Sequence, residues 1–75
     1  MQKILIIEDN NEINNLLYEM LINANYQPTA AFSGTEGLIH LGNSEFDLVL
    51  LDLMLPGLNG EEVLKKLEKN QIYLL

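Results

Sequence analysis

The chain has 75 residues, enough for one small domain, and its 48% hydrophobic content supplies only a modest core for that size. Eleven acidic residues against four lysines give a net charge of −7, which repels phosphate backbones and anionic lipids, so we expect neither a nucleic acid nor a membrane as partner. The sequence has no cysteine and no long apolar run near its N-terminus, which together predict a cytoplasmic protein.

The N-terminal part of the chain is predicted to form a strand, a helix and a second strand. Residues 4–7 are all apolar, which is typical of a strand covered on both faces. Apolar residues at helical spacing predict an amphipathic helix over residues 11–25, closed by Asn25, a residue type that tolerates a left-handed backbone. Gln27–Ala31 is a weaker strand, and Pro28 near its start favours a position at the sheet edge. The helix positions expected to face the core are Ile13, Leu16, Leu17, Met20, Leu21 and Ala24.

The next stretch is predicted to contain a short helix and the clearest strand after the first. Ser33 is a favourable N-cap for a helix over residues 34–41, which Gly42 and Asn43 are expected to end. The apolar run within residues 47–51 predicts a strand in the interior of the sheet.

A third helix over residues 60–69 and the beginning of a fourth strand at residues 72–75 complete the pattern. Strands that alternate with helices imply parallel units joined by right-handed crossovers. The two all-apolar strands belong in the centre and the proline-bearing strand lies outside them. The sequence therefore predicts a parallel α/β sheet in the order 2-1-3, with a short fourth strand and helices on both faces.

Acidic residues follow the two central strands at the point where each strand ends. Glu8 and Asp9 come after the first strand, and Asp52 comes after the third. The carboxyl ends of neighbouring parallel strands lie about 4.8 Å apart and form the crevice where α/β sheets bind ligands. An all-oxygen ligand set suits Mg²⁺, and a carboxylate beside that cation can act as a nucleophile toward a phosphoryl group. The spacing predicts an acidic Mg²⁺ site at this edge.

Each of these acids also has a purely structural interpretation. Asp9 and Glu12 have the spacing of a helix capping box, and a lone Glu8 would be a surface acid. Asp52 could be a turn residue. The segment Ser33-Gly34-Thr35 has the composition of a phosphate loop but lacks the Gly-Lys-Ser/Thr ending, so a helix cap is preferred.

Two sequence strings, IIED at residues 6–9 and LLDLMLPGLNG at residues 50–60, together resemble the N-terminal part of a response-regulator receiver domain. The resemblance covers all 75 residues and implies a truncated flavodoxin-like fold. The wording LMLPGLNG is similar to the receivers of winged-helix transcription factors, which implies a role in two-component signalling and transcription regulation.

The resemblance also implies roles for individual residues. Asp52 matches the acid that is phosphorylated by a histidine kinase or a small phosphodonor. Asp9 matches an acid that ligates Mg²⁺ together with Asp52, and Glu8 matches its partner, which acts through water. The main-chain carbonyl of Met54 matches a further metal ligand.

The chain also departs from the family, whose full domain has five strand-helix units. Three units and the beginning of a fourth strand are present in residues 1–75, without the family's Ser or Thr after strand 4 or its Lys after strand 5. The family's usual dimerisation face and its effector domain are likewise missing. We expect a partial receiver domain that is phosphorylated in the presence of Mg²⁺ but passes on the signal poorly. Beyond weak self-phosphorylation and dephosphorylation, we expect no enzyme activity.

Two classes of function remain open from the sequence. One is this phosphoacceptor signalling module, and the other is a self-associating interaction fragment whose acidic pocket is inherited but inactive. A phosphatase with a nucleophilic Asp52 would want a second acid where Met54 stands. The exposed edge of a truncated sheet and the apolar face of the third helix predict a homodimer.

Overall fold

Alternating strands and helices form one parallel sheet in the part of the chain that the structure describes, which is residues 1–52 in full and the backbone of residues 71–74. The structure is a computed structural model. The elements of this part, in chain order, are β1 (Lys3–Ile7), α1 (Asn11–Asn23), β2 (Gln27–Ala31), α2 (Gly34–Asn43), β3 (Leu48–Leu51) and β4 (Gln71–Leu74). The third helix predicted over residues 60–69 lies outside the described residues.

The sheet has the strand order β2-β1-β3-β4, with every neighbouring pair parallel. This confirms the predicted order 2-1-3 and the fourth strand, which pairs along the outer side of β3 and begins one residue before its predicted start. Ile7 is in register with both Ala31 and Leu51, so the carboxyl ends of the first three strands lie level with one another. Residues that follow these strands are therefore brought to the same edge of the sheet.

The hydrophobic core lies between the central strands and α2. Leu5 and Ile7 of β1 are almost fully buried, and Leu38 and Leu41 of α2 pack against the cluster that contains them. A Cβ placed on Gly37 would lie 2.5 Å from Cδ1 of Ile7, so α2 approaches β1 more closely than a side chain at that position would allow. The buried members of the cluster are Leu5, Ile7, Ala31, Phe46, Val49 and Leu51.

The predicted core-facing side of α1 is wrong at several positions. Asn14 is the buried residue of this helix, while Leu17 and Leu21, which share its face at helical spacing, are half-buried. Hydrogen bonds from the Asn14 side chain to the ends of β1 and β2 hold this face against the sheet. Four positions predicted to face the core are exposed instead: Ile13 at 44%, Leu16 at 59%, Met20 at 58%, and Ala24.

The C-terminal end of α1 is closed by a left-handed residue, as predicted for Asn25, which has φ 69°. The helix itself ends at Asn23, two residues before the predicted end. Tyr26 N donates to Leu21 O at 2.9 Å, and this bond satisfies one of the carbonyl groups that the last turn leaves free. The chain then enters β2 directly.

α2 ends at Asn43, within the pair predicted to end it, and so runs two residues beyond the predicted last residue. Ser44 N still donates to His40 O at 3.0 Å, and the backbone becomes extended only at Ser44. A glycine in a helix costs some stability but does not by itself stop the helix. None of the helices in the described ranges is both long and apolar enough to cross a membrane.

Candidate functional site

The candidate site lies at the carboxyl edge of the sheet, where the backbone continues the strand pairing by one residue on each side of β1. Glu8 N donates to Ala31 O at 3.1 Å, and Asp52 N donates to Ile7 O at 3.1 Å. Glu8 and Asp52 are therefore fixed beside each other by main-chain hydrogen bonds, before any side-chain contact is considered. Asp9 is the next residue along the chain from Glu8.

The structure brings together three of the residues that the sequence suggested. Glu8, Asp9 and Asp52 each offer a carboxylate oxygen, and these oxygens lie within 4.8 Å of one another. Glu8 is buried, with 5% of its surface exposed, Asp52 is half-buried and Asp9 is exposed. The cluster therefore extends from the interior of the sheet edge to the solvent. Met54, the fourth predicted ligand, lies outside the described residues.

The pKa of the Glu8 carboxyl is perturbed by this arrangement. Burial raises the pKa of its carboxyl above the usual range, and the hydrogen bond and negative charge of Asp52 raise it further. A hydrogen bond from the backbone of Asn10 acts in the opposite direction, and a contact with Asp9 raises the pKa again. Without a bound cation, this arrangement therefore favours a proton on Glu8.

A divalent cation fits the same arrangement. Glu8 Oε2 is buried and has no hydrogen-bond partner among the described residues, although a buried carboxylate oxygen normally has one. Three carboxylates within 4.8 Å give an all-oxygen, negatively charged donor set of the kind that Mg²⁺ prefers. A cation bound by these groups would remove the reason for Glu8 to hold a proton.

The alternative role of Asp9 as the cap of α1 is wrong. The cap is Asn10, whose Oδ1 accepts from Ile13 N at 3.1 Å. An asparagine supplies this bond as well as an aspartate does. The first turn of α1 therefore does not use the Asp9 carboxylate, although the spacing of Asp9 and Glu12 had made that role plausible.

The segment around Ser33 is a helix cap, as the sequence suggested, and not part of the acidic site. Ser33 Oγ accepts from Glu36 N at 3.1 Å, and Glu36 Oε2 in turn accepts from Phe32 N at 3.1 Å. These two bonds satisfy free backbone N–H groups at the start of α2.

Asn14 lies beside the site and was not among the residues predicted from the sequence. Its Nδ2 donates to the carbonyl oxygens of Glu8 and Ala31, each at 3.0 Å. A signal was present in the sequence, because Asn14 stands at helical spacing from Leu17 and Leu21 and therefore shares the face that packs on the sheet. A polar residue on such a face must find hydrogen-bond partners, and the ends of two strands provide them.

Comparison with known protein families assigns the chain to one family. The family model described as "Response regulator receiver domain" matches residues 4–74. This match covers nearly the whole sequence and contains all three clustered acids. The chain therefore belongs to the response-regulator receiver domain family.

Individual relatives agree with this assignment. The chain is 47% identical over 66 residues to the uncharacterized transcriptional regulatory protein YkoG of Bacillus subtilis, covering 88% of this chain and 29% of that protein. It is 38% identical over 71 residues to the response regulator ArlR of Staphylococcus saprophyticus, covering 95% of this chain and 32% of that protein. The chain thus spans about a third of the length of these curated relatives.

A solved structure supports the fold. The response regulator protein TrrA of Thermotoga maritima, crystallised in complex with Mg²⁺-BeF, superposes with a TM-score of 0.87 at 35% identity. The match covers 99% of this chain and 68% of the TrrA chain. The fold predicted from the sequence, a flavodoxin-like parallel sheet, is therefore confirmed as that of a receiver domain.

Proposed function

We propose that this chain is a phosphoacceptor module of two-component signalling in which Asp52 is phosphorylated in the presence of Mg²⁺. The observation that carries the proposal is the cluster of Glu8, Asp9 and Asp52, whose carboxylate oxygens lie within 4.8 Å at the carboxyl edge of the sheet. Membership of the receiver family supplies the context, because receiver domains are signalling modules that interact with histidine kinases or phosphodonors.

Asp52 is the best candidate for the phosphorylated residue. It is half-buried at the end of a central strand, and its backbone N–H is bonded to β1, so its carboxylate is held at the crevice. A carboxylate oxygen of Asp52 would bond to the phosphorus of the donor, and the bond from phosphorus to the donor's nitrogen or oxygen would break. The donor group keeps the electron pair and takes up a proton. The product is an acyl phosphate on Asp52.

The same cluster of acids would hold the metal. Asp9 and Asp52 are the proposed direct ligands, Glu8 acts through a water molecule, and the resemblance adds the carbonyl of Met54. Bound Mg²⁺ would supply the positive charge that offsets repulsion between the carboxylate and the incoming phosphoryl group. The buried Glu8 contributes charge from the interior side of the cluster, so its position sets how strongly the site attracts a dication.

For the 75-residue polypeptide itself, we propose that phosphorylation is passed on poorly. This part of the proposal rests on the resemblance to receiver domains. In those domains a hydroxyl residue and a lysine beyond the third strand-helix unit interact with the phosphoryl group. Of the lysines in this sequence, Lys3 is at the amino end of β1, the opposite end from the acids, and the other three fall within residues 65–69. We propose a signalling module and not an enzyme, with weak self-phosphorylation and dephosphorylation at most.

The proposal is tested by incubating the chain with a small phosphodonor and measuring its intact mass. We expect the mass of one phosphoryl group to be added only when Mg²⁺ is present, and Asp52→Asn to abolish the addition. Glu45→Gln, an exposed acid in the loop before β3, is the matched control and should be labelled like the unmodified chain. Equal labelling of the Asp52→Asn variant would disprove the assignment of the site.

Self-association is the second candidate function, and the sheet topology favours it. β4 is the last strand of the described sheet, so its outer edge pairs with no other described strand. Unpaired N–H and C=O groups on a strand edge are a template for another chain. A homodimer through this edge and the third helix would leave the acidic pocket as an inherited and inactive feature.

A further inference from the structure

The side chain of Asn14 is enclosed beside the acidic cluster. It is 0% exposed, and its Nδ2 donates to the carbonyl oxygens of Glu8 and Ala31 at 3.0 Å each. Both partners are acceptors, so only the NH₂ group of the amide can face them, and the orientation of the amide is fixed by chemistry. One side chain on α1 thus ties together the ends of β1 and β2.

The bond to Glu8 O acts on two acids at once. This carbonyl belongs to the peptide group that links Glu8 to Asp9, and the planarity of a peptide group places the Cα atoms of both residues in one rigid plane. On the other side of Glu8, its N–H donates to Ala31 O at 3.1 Å. The backbone of Glu8 is therefore held at both its donor and its acceptor, and the Cα atoms from which two of the three clustered carboxylates extend are fixed with it.

The packing of α1 on the sheet does not by itself require an amide at this position. Asn14 Oδ1 is buried and accepts no hydrogen bond from the described residues, which is costly for a buried polar atom. Leu17 and Leu21 occupy the same face of α1, so an apolar residue would suit the packing. What the amide supplies, and an apolar side chain cannot, is the bond to Glu8 O that holds the Glu8–Asp9 peptide, together with a second bond to Ala31 O.

We infer that Asn14 is a positioning residue for Mg²⁺ binding, acting through the Glu8–Asp9 peptide without touching the cation. The inference rests on the proposed function, since it assigns Asn14 to that same site. Residues that orient metal ligands typically change metal affinity by tenfold or more when they are removed. Asn14 should therefore affect the metal affinity of the folded protein as well as its stability.

The test is a Mg²⁺ titration of the full 75-residue chain, followed by the backbone amide chemical shifts of Glu8, Asp9 and Asp52. Asn14→Leu keeps the same branching at Cγ and removes both N–H donors, and we expect its dissociation constant to rise about tenfold. Asn14→Ser keeps one donor and should give a smaller rise. Asn15→Leu changes an exposed neighbour on the same helix and should leave the affinity unchanged.

Each outcome decides the inference. A folded Asn14→Leu variant that binds Mg²⁺ as tightly as the unmodified chain would overturn it, because a purely structural role lowers stability without changing the affinity of the folded state. If Asn14→Leu and Asn14→Ser both stay unfolded in saturating Mg²⁺, Asn14 serves the fold alone and the inference is wrong. If the unmodified chain binds no Mg²⁺, the proposed metal site fails, and the role of Asn14 fails with it.

Discussion

Glu8 shows how a single buried acid links the stability of the fold to the chemistry of the site. Its carboxyl is 5% exposed and lies against Asp52, and burial followed by the hydrogen bond and charge of Asp52 raises its pKa. A raised pKa means that the folded state holds a proton that the unfolded state releases. Glu8 therefore stabilises the metal-free fold at low pH, and this contribution is lost as the pH rises.

We predict that the free energy of unfolding of the metal-free chain falls as the pH rises from the ordinary pKa of a glutamate through the raised pKa of Glu8. Glu8→Gln cannot ionise and should remove this part of the pH dependence. Urea unfolding across the acidic range, without metal, measures both curves. Glu45→Gln, which changes an exposed acid, is the control and should keep the pH dependence of the unmodified chain. Identical curves for Glu8→Gln and the unmodified chain would show that Glu8 is not the responsible group.

The sequence predicted the clustered acids of the site better than the residues that hold them in place. The convergence of Glu8, Asp9 and Asp52 follows from strand order, because parallel neighbours end at one edge of the sheet. Asn10 caps α1 through a local bond to Ile13 N, whereas the Asn14 bonds of 3.0 Å to the ends of β1 and β2 depend on the angle at which α1 meets the sheet. That angle is a property of the folded molecule, so helical spacing could place Asn14 on the face that packs on the sheet but could not identify its hydrogen-bond partners.

The strands were predictable where the residue pattern fits only one type of secondary structure or one position in the sheet. Apolar runs identified β1 and β3, and Pro28 placed β2 at the edge of the sheet. The end of α2 was not predictable from Gly42, because a glycine near a helix end can continue the helix or leave it at similar cost. The buried face of α1 was predicted only in part, because its most buried residue, Asn14, is polar and the prediction used apolar residues alone.

The packing of α2 on β1 yields a prediction for its two glycines. A Cβ on Gly37 would lie 2.5 Å from Cδ1 and 2.8 Å from Cγ1 of the buried Ile7, whereas a Cβ on Gly42 would meet nothing within 4 Å. Replacing a helical glycine by alanine gains about 1 kcal/mol of helix propensity, but overpacking a core costs about 1–3 kcal/mol. Gly37→Ala should therefore lower the free energy of unfolding by about 1 kcal/mol.

Gly42→Ala is the matched control on the same helix, and it should raise the free energy of unfolding by about 0.5–1 kcal/mol. Chemical denaturation of both variants under one set of conditions gives the comparison. If Gly37→Ala stabilises the chain as much as Gly42→Ala does, the close approach of α2 to β1 is relieved by movement of Ile7, and the predicted overpacking is wrong.

The described part of the molecule presents two different surfaces that could bring copies together. One is the outer edge of β4, which pairs with no other strand in the described part of the sheet. The other is the outer face of α1, where Ile13, Leu16 and Met20 are between 44% and 59% exposed. A strand edge offers directional hydrogen bonds, whereas an apolar helix face offers area without direction. The proposed homodimer uses the strand edge, and the two surfaces can be separated by substitution.

We predict that the chain forms a homodimer whose midpoint concentration depends on β4 and not on α1. A lysine on an edge strand opposes pairing with another chain, so Tyr73→Lys should shift the dimer toward monomer in light scattering across a dilution series. The backbone of Tyr73 is in register with Leu50 of β3, so the substitution lies within the edge strand itself. Leu16→Lys places the same charge on the exposed face of α1 and is the control. If Leu16→Lys alone dissociates the dimer, the interface is on α1. If the unmodified chain is a folded monomer at every concentration, the dimer prediction is wrong, because the open strand edge is then tolerated without a partner.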